Sequence, residues 1–135
     1  MHPKNAWYVA CTPDEIAEKP LGRKVCNENM VFYRGDGARV AALEDFCPHR
    51  GAPLSLGFVR DGKLICGYHG LEMGSDGRTA AMPCQRVQAF PAIRSFPVQE
   101  RHGFIWVWPG DPLLADSALI PHLHWADSPD WAYGG

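Results

Sequence analysis

Apolar residues occur along this chain in short runs, and turn-forming residues separate one run from the next. The runs at residues 7–11, 30–34 and 39–44 contain aromatic and β-branched side chains, which favour strands. Residues 12–15 predict a capped helical turn, because a hydroxyl and a carboxylate stand three positions apart. The fourteen glycines and twelve prolines favour turns and loops over long helices.

Two hairpins can be predicted from the turn signals between the later runs. Asp61-Gly62 separates residues 58–60 from residues 63–66, and this dipeptide is a strong signal for a two-residue hairpin turn. A last hairpin is predicted within residues 94–108, where two apolar runs flank a glycine-containing turn. The whole pattern predicts an all-β fold of small antiparallel sheets, with strands spaced as in a small sandwich or barrel.

The length of 135 residues predicts a single domain. Strand alternation stops after a turn rich in proline and glycine, so we predict a domain over residues 1–112 and a linker over residues 113–135. Residues 114–119 predict one or two helical turns. The aromatic side chains beyond them suggest a segment that meets another surface, and a tail folded back on its own domain is an open alternative.

The charge and hydropathy of the chain argue against several classes of partner. The net charge of −2 gives no reason to predict binding to nucleic acid or to an anionic membrane. No apolar run approaches membrane-spanning length, and the N-terminus has no apolar core of the signal-peptide type. A cytoplasmic location is therefore the default expectation.

Two short loops carry the residues that predict a metal centre. Cys47-Pro48-His49 is followed, after sixteen residues, by Cys66-Gly67-Tyr68-His69. Each loop offers one thiolate and one imidazole, and this pairing suits a [2Fe–2S] cluster in which histidines replace the cysteines on one iron. Such a cluster is a Rieske centre, and its natural work is one-electron transfer. We expect the two loops to lie at the tips of neighbouring hairpins, and the predicted ligands are Cys47, His49, Cys66 and His69.

A tetrahedral zinc site is the alternative use of two cysteines and two histidines. Zinc fingers usually pair cysteine with cysteine at close spacing and place the two histidines on a helix. Here each loop mixes the two residue types, and no helical pattern carries the histidines. Gly51, Gly67 and Gly70 also stand in or beside the loops, where a missing side chain allows backbone N–H groups to approach buried sulfides.

Five cysteines are present, so three remain after the two predicted ligands. Cys11, Cys26 and Cys84 show no close pairing in the sequence. In a reducing compartment we expect them to be reduced and partly buried thiols.

The ligand loops resemble those of Rieske non-haem iron oxygenases. Residues 5–10, 45–77 and 103–110 are similar, more narrowly, to the oxygenase components of vanillate O-demethylases. The resemblance implies that a flavin- and ferredoxin-type reductase, fed by NAD(P)H, supplies electrons to the cluster. It implies a mononuclear Fe(II) in a catalytic domain of the same or a neighbouring subunit, and a homo-oligomer in which His69 faces that domain.

The chain departs from that family by stopping where the catalytic domain should begin. The other histidines are His2, His102, His122 and His124, and none matches the family's mononuclear iron motif. We therefore predict no catalytic residue in this chain, which should transfer electrons but demethylate nothing alone. A free-standing Rieske ferredoxin is the alternative function, and the substrate (vanillate or another methoxy-aromatic compound) is left open.

Overall fold

A computed structural model describes residues 4–48, 52–67, 70–81 and 92–120 of the chain. Within those ranges the chain forms strands and 3-10 turns, with no α-helix and no helix long and apolar enough to cross a membrane. The strands are β1 Tyr8–Cys11, β2 Leu21–Val25, β3 Glu28–Arg34, β4 Val40–Glu44, β5 Phe58–Arg60, β6 Lys63–Ile65, β7 Glu72–Met73, β8 Thr79–Ala81, β9 Ser95–Phe96, β10 Val98–Arg101 and β11 Phe104–Val107.

The described strands make three small antiparallel sheets, as the sequence pattern predicted. The first sheet has the order β1-β11-β10, the second β2-β3-β4-β9, and the third β5-β6-β7-β8. All of the strand pairs are antiparallel. The chain completes most of the second sheet before it enters the third, and it returns through β9 to the second.

Both predicted hairpins are present, and their turns have the backbone that the sequence indicated. Asp61 and Gly62 connect β5 to β6 with φ angles of 53° and 75°. His102 and Gly103 connect β10 to β11 with φ angles of 57° and 77°. Positive φ at both central residues matches the right-handed twist of the flanking strands, which is why Asp-Gly and His-Gly suit these positions.

The sequence pattern missed three strands, β2, β7 and β8, and the longest of them is β2. Its residues Gly22, Arg23 and Lys24 are exposed, because β2 lies at the edge of the second sheet. An edge strand with charged side chains carries little of the apolar signal by which strands are recognised. The turn after it was also hidden, since Cys26 and Asn27 adopt φ angles of 51° and 64° without a glycine.

Strand β3 lies between two apolar cores. Val31 and Tyr33 pack on the side that also holds Cys47 and Cys66, whereas Met30 and Phe32 pack on the opposite side. All four β3 side chains are 0% exposed. Successive side chains of a strand point to opposite faces, so one strand supplies both cores.

The described part of the C-terminal segment packs on the domain. The indole Nε1–H of Trp7 donates to the carbonyl oxygen of Asp116 at 2.8 Å, and the Trp7 and Trp108 rings meet edge to face. Ile120 is buried in the same cluster. Two 3-10 turns form here, Pro112–Leu114 and Ser117–Leu119. A domain boundary after residue 112 stays a prediction, and residues 121–135 lie outside the described ranges.

We predict that the Trp7 hydrogen bond keeps the segment around Asp116 from opening. Trp7→Phe retains an aromatic ring but removes the N–H donor, so local opening should increase about fivefold for a bond of typical net strength. Limited chymotrypsin digestion with mass spectrometry should show faster cleavage after Leu114 and Leu119, whose side chains are exposed.

Trp106→Phe is the matched control for that experiment. Trp106 belongs to the same cluster, but its indole N–H donates to the Arg101 carbonyl at 3.0 Å and not to the C-terminal segment. Equal acceleration of cleavage in both variants would show that the effect comes from general destabilisation and not from the Trp7 bond.

Candidate metal centre

The second ligand loop lies at the tip of a hairpin. Strand β6 ends at Ile65, just before the loop. After the loop the chain returns as β7, which pairs with β6. The Cys66 N–H donates to the Leu71 carbonyl at 2.9 Å, and the Gly70 N–H donates to the Cys66 carbonyl at 3.0 Å. The strand ladder and these two bonds hold Cys66 at a defined place next to β6.

The first ligand loop has the same backbone closure. The Cys47 N–H donates to the Ala52 carbonyl at 2.8 Å, so each cysteine bonds to the carbonyl five residues later. His49 and His69, which we predicted as ligands, lie outside the described residues. Two loops of matched closure, each beginning with a cysteine, are what the spacing of the motif predicted.

The first loop does not lie at the tip of a hairpin, although we expected it there. Its preceding strand β4 belongs to the second sheet, and the following strand β5 belongs to the third. The expectation of two hairpin loops is therefore correct for Cys66 and wrong for Cys47. The physical reason is that the chain changes sheets at this point, so no strand ladder runs on both sides of the loop.

The two predicted cysteine ligands are brought together in one apolar core. Cys47 is 1% exposed and Cys66 is 2% exposed, and both belong to the same buried cluster. Neither forms a disulfide. The cluster's other members are Val31, Tyr33, Leu43, Leu54, Leu64, Leu71, Met73 and Ile93. Among the described residues, no third His, Cys, Asp or Glu joins a metal-binding group with them.

These cysteines fit the predicted iron–sulfur cluster. Thiolates are soft ligands that suit iron–sulfur clusters and zinc, and burial excludes water from the sulfur atoms. A pair of buried thiolates would be costly without a bound cation, because an isolated charge is poorly stabilised in an apolar core. The cysteine pair therefore supports a metal centre, and the choice between iron–sulfur and zinc depends on the loop motif.

Glycines allow the two loops to touch through their backbones. A Cβ atom on Gly57 would lie 1.9 Å from the Ile65 carbonyl oxygen, closer than any real contact. A Cβ atom on Gly67 would lie 3.3 Å from the Leu56 carbonyl oxygen. The backbone after the first loop thus lies directly against the start of the second loop.

Sequence reasoning did not identify Gly57 or the carboxylate that joins the two ends of the first loop. The Asp45 carboxylate accepts hydrogen bonds from the Ser55 N–H at 2.7 Å and from the Ser55 hydroxyl at 2.6 Å. The available signal was weak: Asp45 stands two residues before Cys47, and Gly57 stands directly before a predicted strand. Neither position has a role that local pattern can assign.

Cys11 and Cys26 lie away from the two loops and form no disulfide, as expected. Cys11 is buried in the core on the other side of β3. Burial, together with the negative charge of Glu15, raises the pKa of the Cys11 thiol from 9.0 to about 11. Cys26 is half-buried in the turn between β2 and β3, and Cys84 lies outside the described residues.

Comparison with known proteins agrees with this geometry. Residues 6–97 match the Rieske [2Fe-2S] domain. The vanillate O-demethylase oxygenase subunit of a Pseudomonas strain is 78% identical over 135 residues, which are 100% of this chain and 38% of that protein. The oxygenase component of dicamba O-demethylase from Stenotrophomonas maltophilia is 51% identical over 121 residues, which are 87% of this chain and 35% of that protein.

A solved structure gives the same result for the fold. The crystal structure of dicamba monooxygenase bound to dicamba superposes with a TM-score of 0.87 at 48% identity. The superposition covers 93% of this chain and 38% of the other. The chain thus spans less than two fifths of the length of each of these three proteins.

We predict that Gly57→Ala separates the two loops. The added methyl group meets a backbone carbonyl that cannot move aside, so the free energy of unfolding should fall by about 2 kcal/mol or more in urea denaturation. Gly67→Ala is the matched control, and the wider space at that position predicts a loss below about 1 kcal/mol. Equal losses would contradict the proposed contact.

The raised pKa of Cys11 predicts selective alkylation of the thiols. At pH 8 the Cys11 thiol stays protonated and buried, so iodoacetamide should label Cys26 and leave Cys11 unmodified until the protein unfolds. Because the pKa is raised on folding, the stability from the protonated Cys11 is complete below pH 9.0 and is lost as the pH approaches about 11. Peptide mass spectrometry after timed labelling measures how fast Cys26 and Cys11 are each modified. Rapid labelling of Cys11 at pH 8 would contradict its burial.

Proposed function

We propose, since this chain belongs to the Rieske [2Fe-2S] domain family, that its two loops hold a [2Fe–2S] cluster and that the chain transfers single electrons. The proposed ligands are Cys47, His49, Cys66 and His69. The cysteines would bind one iron as thiolates, and the histidines would bind the other as neutral imidazoles.

One observation carries this proposal: the two motif cysteines reach the same apolar core from loops of equal closure. A bound Rieske cluster supplies a one-electron couple whose potential depends on its ligands, the hydrogen bonds to its sulfurs and its exposure to solvent. Leu54, Leu64 and Leu71 are 0% exposed beside the cysteines and keep water from the sulfur atoms. The loops therefore offer the two cysteines a buried and dry site.

The relatives support a role within a larger oxygenase. Two of them are named as oxygenase components of O-demethylases, and this chain covers 38% and 35% of their lengths. We propose that the chain is the electron-transfer domain of a similar O-demethylating, vanillate monooxygenase-like oxygenase, with residues 1–112 as the Rieske domain and residues 113–135 as a linker. A vanillate-like methoxy-aromatic compound is the proposed substrate of the whole protein.

The partners of such a protein follow from the same proposal. A flavin- and ferredoxin-type reductase would deliver electrons from NAD(P)H to the cluster. The cluster would pass them to a mononuclear Fe(II) in a catalytic domain of the same or a neighbouring subunit. We expect the whole protein to be a homo-oligomer and to be located in the cytoplasm. By this proposal the described chain lacks the residues for demethylation and is inactive alone.

A free-standing Rieske ferredoxin is the second candidate. Its support is the packing of the C-terminal segment, in which Ile120 is buried and Trp7 bonds to Asp116. A carrier protein would be a compact monomer, whereas an oxygenase domain should associate with further copies or with a catalytic domain. Sedimentation of the purified chain, which shows whether it associates with further copies of itself, separates the two candidates.

We predict that the purified chain is red-brown and contains about two iron and two acid-labile sulfide ions. Reduction should produce the rhombic electron paramagnetic resonance signal of a Rieske centre. Cys47→Ser and Cys66→Ser should each lose the colour and the sulfide, because a hydroxyl is a poor ligand for this iron.

Cys26→Ser is the matched control, since this thiol is half-buried and outside the core that holds the two ligand cysteines. It should retain the full cluster content. A colourless wild-type protein that binds zinc and contains no acid-labile sulfide would exclude the proposed function.

A further inference from the structure

We propose that Asp45 is a positioning residue for the metal centre: its carboxylate joins the two ends of the first ligand loop and thereby holds Cys47 in place. This inference rests on the proposed function, because Cys47 is a proposed ligand. Asp45 is half-buried and stands two residues before that cysteine.

The two oxygens of the carboxylate bind one residue on the far side of the loop. Oδ1 accepts from the Ser55 N–H at 2.7 Å, and Oδ2 accepts from the Ser55 hydroxyl at 2.6 Å. Both distances lie within the usual range for hydrogen bonds of these types. The Asp45 N–H donates in turn to the Asn29 carbonyl of β3 at 2.9 Å, so the carboxylate is anchored to the central strand.

The first loop needs this contact because no ladder closes it. The second loop is held by β6 and β7, which pair with one another directly beside it. The first loop runs from β4 in one sheet to β5 in another, and these strands do not pair. The hydrogen bonds from Asp45 to Ser55 therefore provide at the first loop the closure that paired strands provide at the second.

The carboxylate also caps the 3-10 turn Leu54–Leu56. Its N-cap residue is Pro53, which has no side chain able to accept a hydrogen bond. An N-cap side chain normally accepts from the N–H of the second or third residue of the turn. Asp45 accepts from Ser55, the second residue, and so replaces the missing cap from the opposite end of the loop.

The capped turn connects this contact to the cysteines. Leu54 is 0% exposed and packs in the core that contains Cys47 and Cys66. Gly57, directly after the turn, makes the close backbone approach to Ile65 beside Cys66. A shift of the turn would therefore disturb the wall behind both sulfur atoms and the spacing of the two loops.

Gly22 of strand β2 lies directly against Ser55 and Asp45. A Cβ atom on Gly22 would lie 3.0 Å from both Cβ and Oγ of Ser55, and 3.4 Å from Asp45 Oδ2. The glycine thus leaves space for Ser55 to reach the carboxylate. A side chain at this position would push the serine away without changing either hydrogen-bonding partner.

The test compares the rate at which the cluster is lost. Purified Asp45→Ala protein is mixed with an excess of an iron chelator, and the visible absorbance of the cluster is followed. We expect loss about tenfold faster than in the wild type, the size typical for removing a group that orients a metal ligand. Ser55→Ala keeps the backbone bond and should accelerate the loss by about threefold.

Asp111→Ala is the matched control. Asp111 also caps a 3-10 turn through the N–H of its second residue, Leu113, at 3.0 Å, and this turn lies in the C-terminal segment. The Asp111→Ala substitution should lower the free energy of unfolding about as much as Asp45→Ala does, while leaving the rate of cluster loss unchanged. Asp45→Asn, which still accepts from the Ser55 N–H, should recover part of the wild-type rate and covers the case in which Asp45→Ala does not fold.

Hydrogen exchange provides a readout that does not need the cluster. Peptides that cover residues 45–57 should exchange about fivefold faster in Asp45→Ala than in Asp111→Ala, because the Ser55 and Cys47 amides lose protection, and Asp45→Asn should lie between the two. Equal exchange and equal cluster loss in the Asp45 variants and the control would overturn the inference. A colourless wild type would instead overturn the proposed function, and the exchange result would still decide the role of Asp45.

Discussion

The burial of two cysteine side chains against one apolar wall constrains much of this structure. Cys47 and Cys66 come from loops that follow strands of different sheets, yet both are almost fully excluded from solvent. For both to reach the same core, the two sheets must be held at a defined separation. Apolar side chains of β3, β4, β6 and β7 fill that space, and Gly57 allows the backbones of the two loops to approach closely.

The two ligand loops reach the same local closure by different means. Each cysteine N–H bonds to the carbonyl five residues later, but only the Cys66 loop is flanked by paired strands. The Cys47 loop crosses between sheets and is held by a carboxylate, a capped turn and a close backbone contact. A metal centre needs ligands held rigidly from several directions, and here a hairpin and a crossover loop provide two of them.

Much of the fold could be predicted from local pattern. The strands around Asp61-Gly62 and the last hairpin were evident because their turns require residues that tolerate positive φ. Strand β2 was missed because an exposed edge strand needs few apolar residues, and its turn at Cys26 and Asn27 contains no glycine. The apolar surface of the described C-terminal segment could not be assigned either, since its partner Trp7 is more than one hundred residues away in sequence.

The sequence alone determined the chemistry of the proposed centre, because residue type and short spacing decide which atoms a loop can offer to a metal. It predicted two cysteines and two histidines as ligands, and it predicted the Asp61-Gly62 turn between the two loops. Only the tertiary structure decided that the first loop joins two sheets, that Ser55 meets Asp45 and that Gly57 touches Ile65. These contacts join residues eight to ten positions apart through the packing of whole sheets, and local propensity carries no information about which sheet a strand will enter.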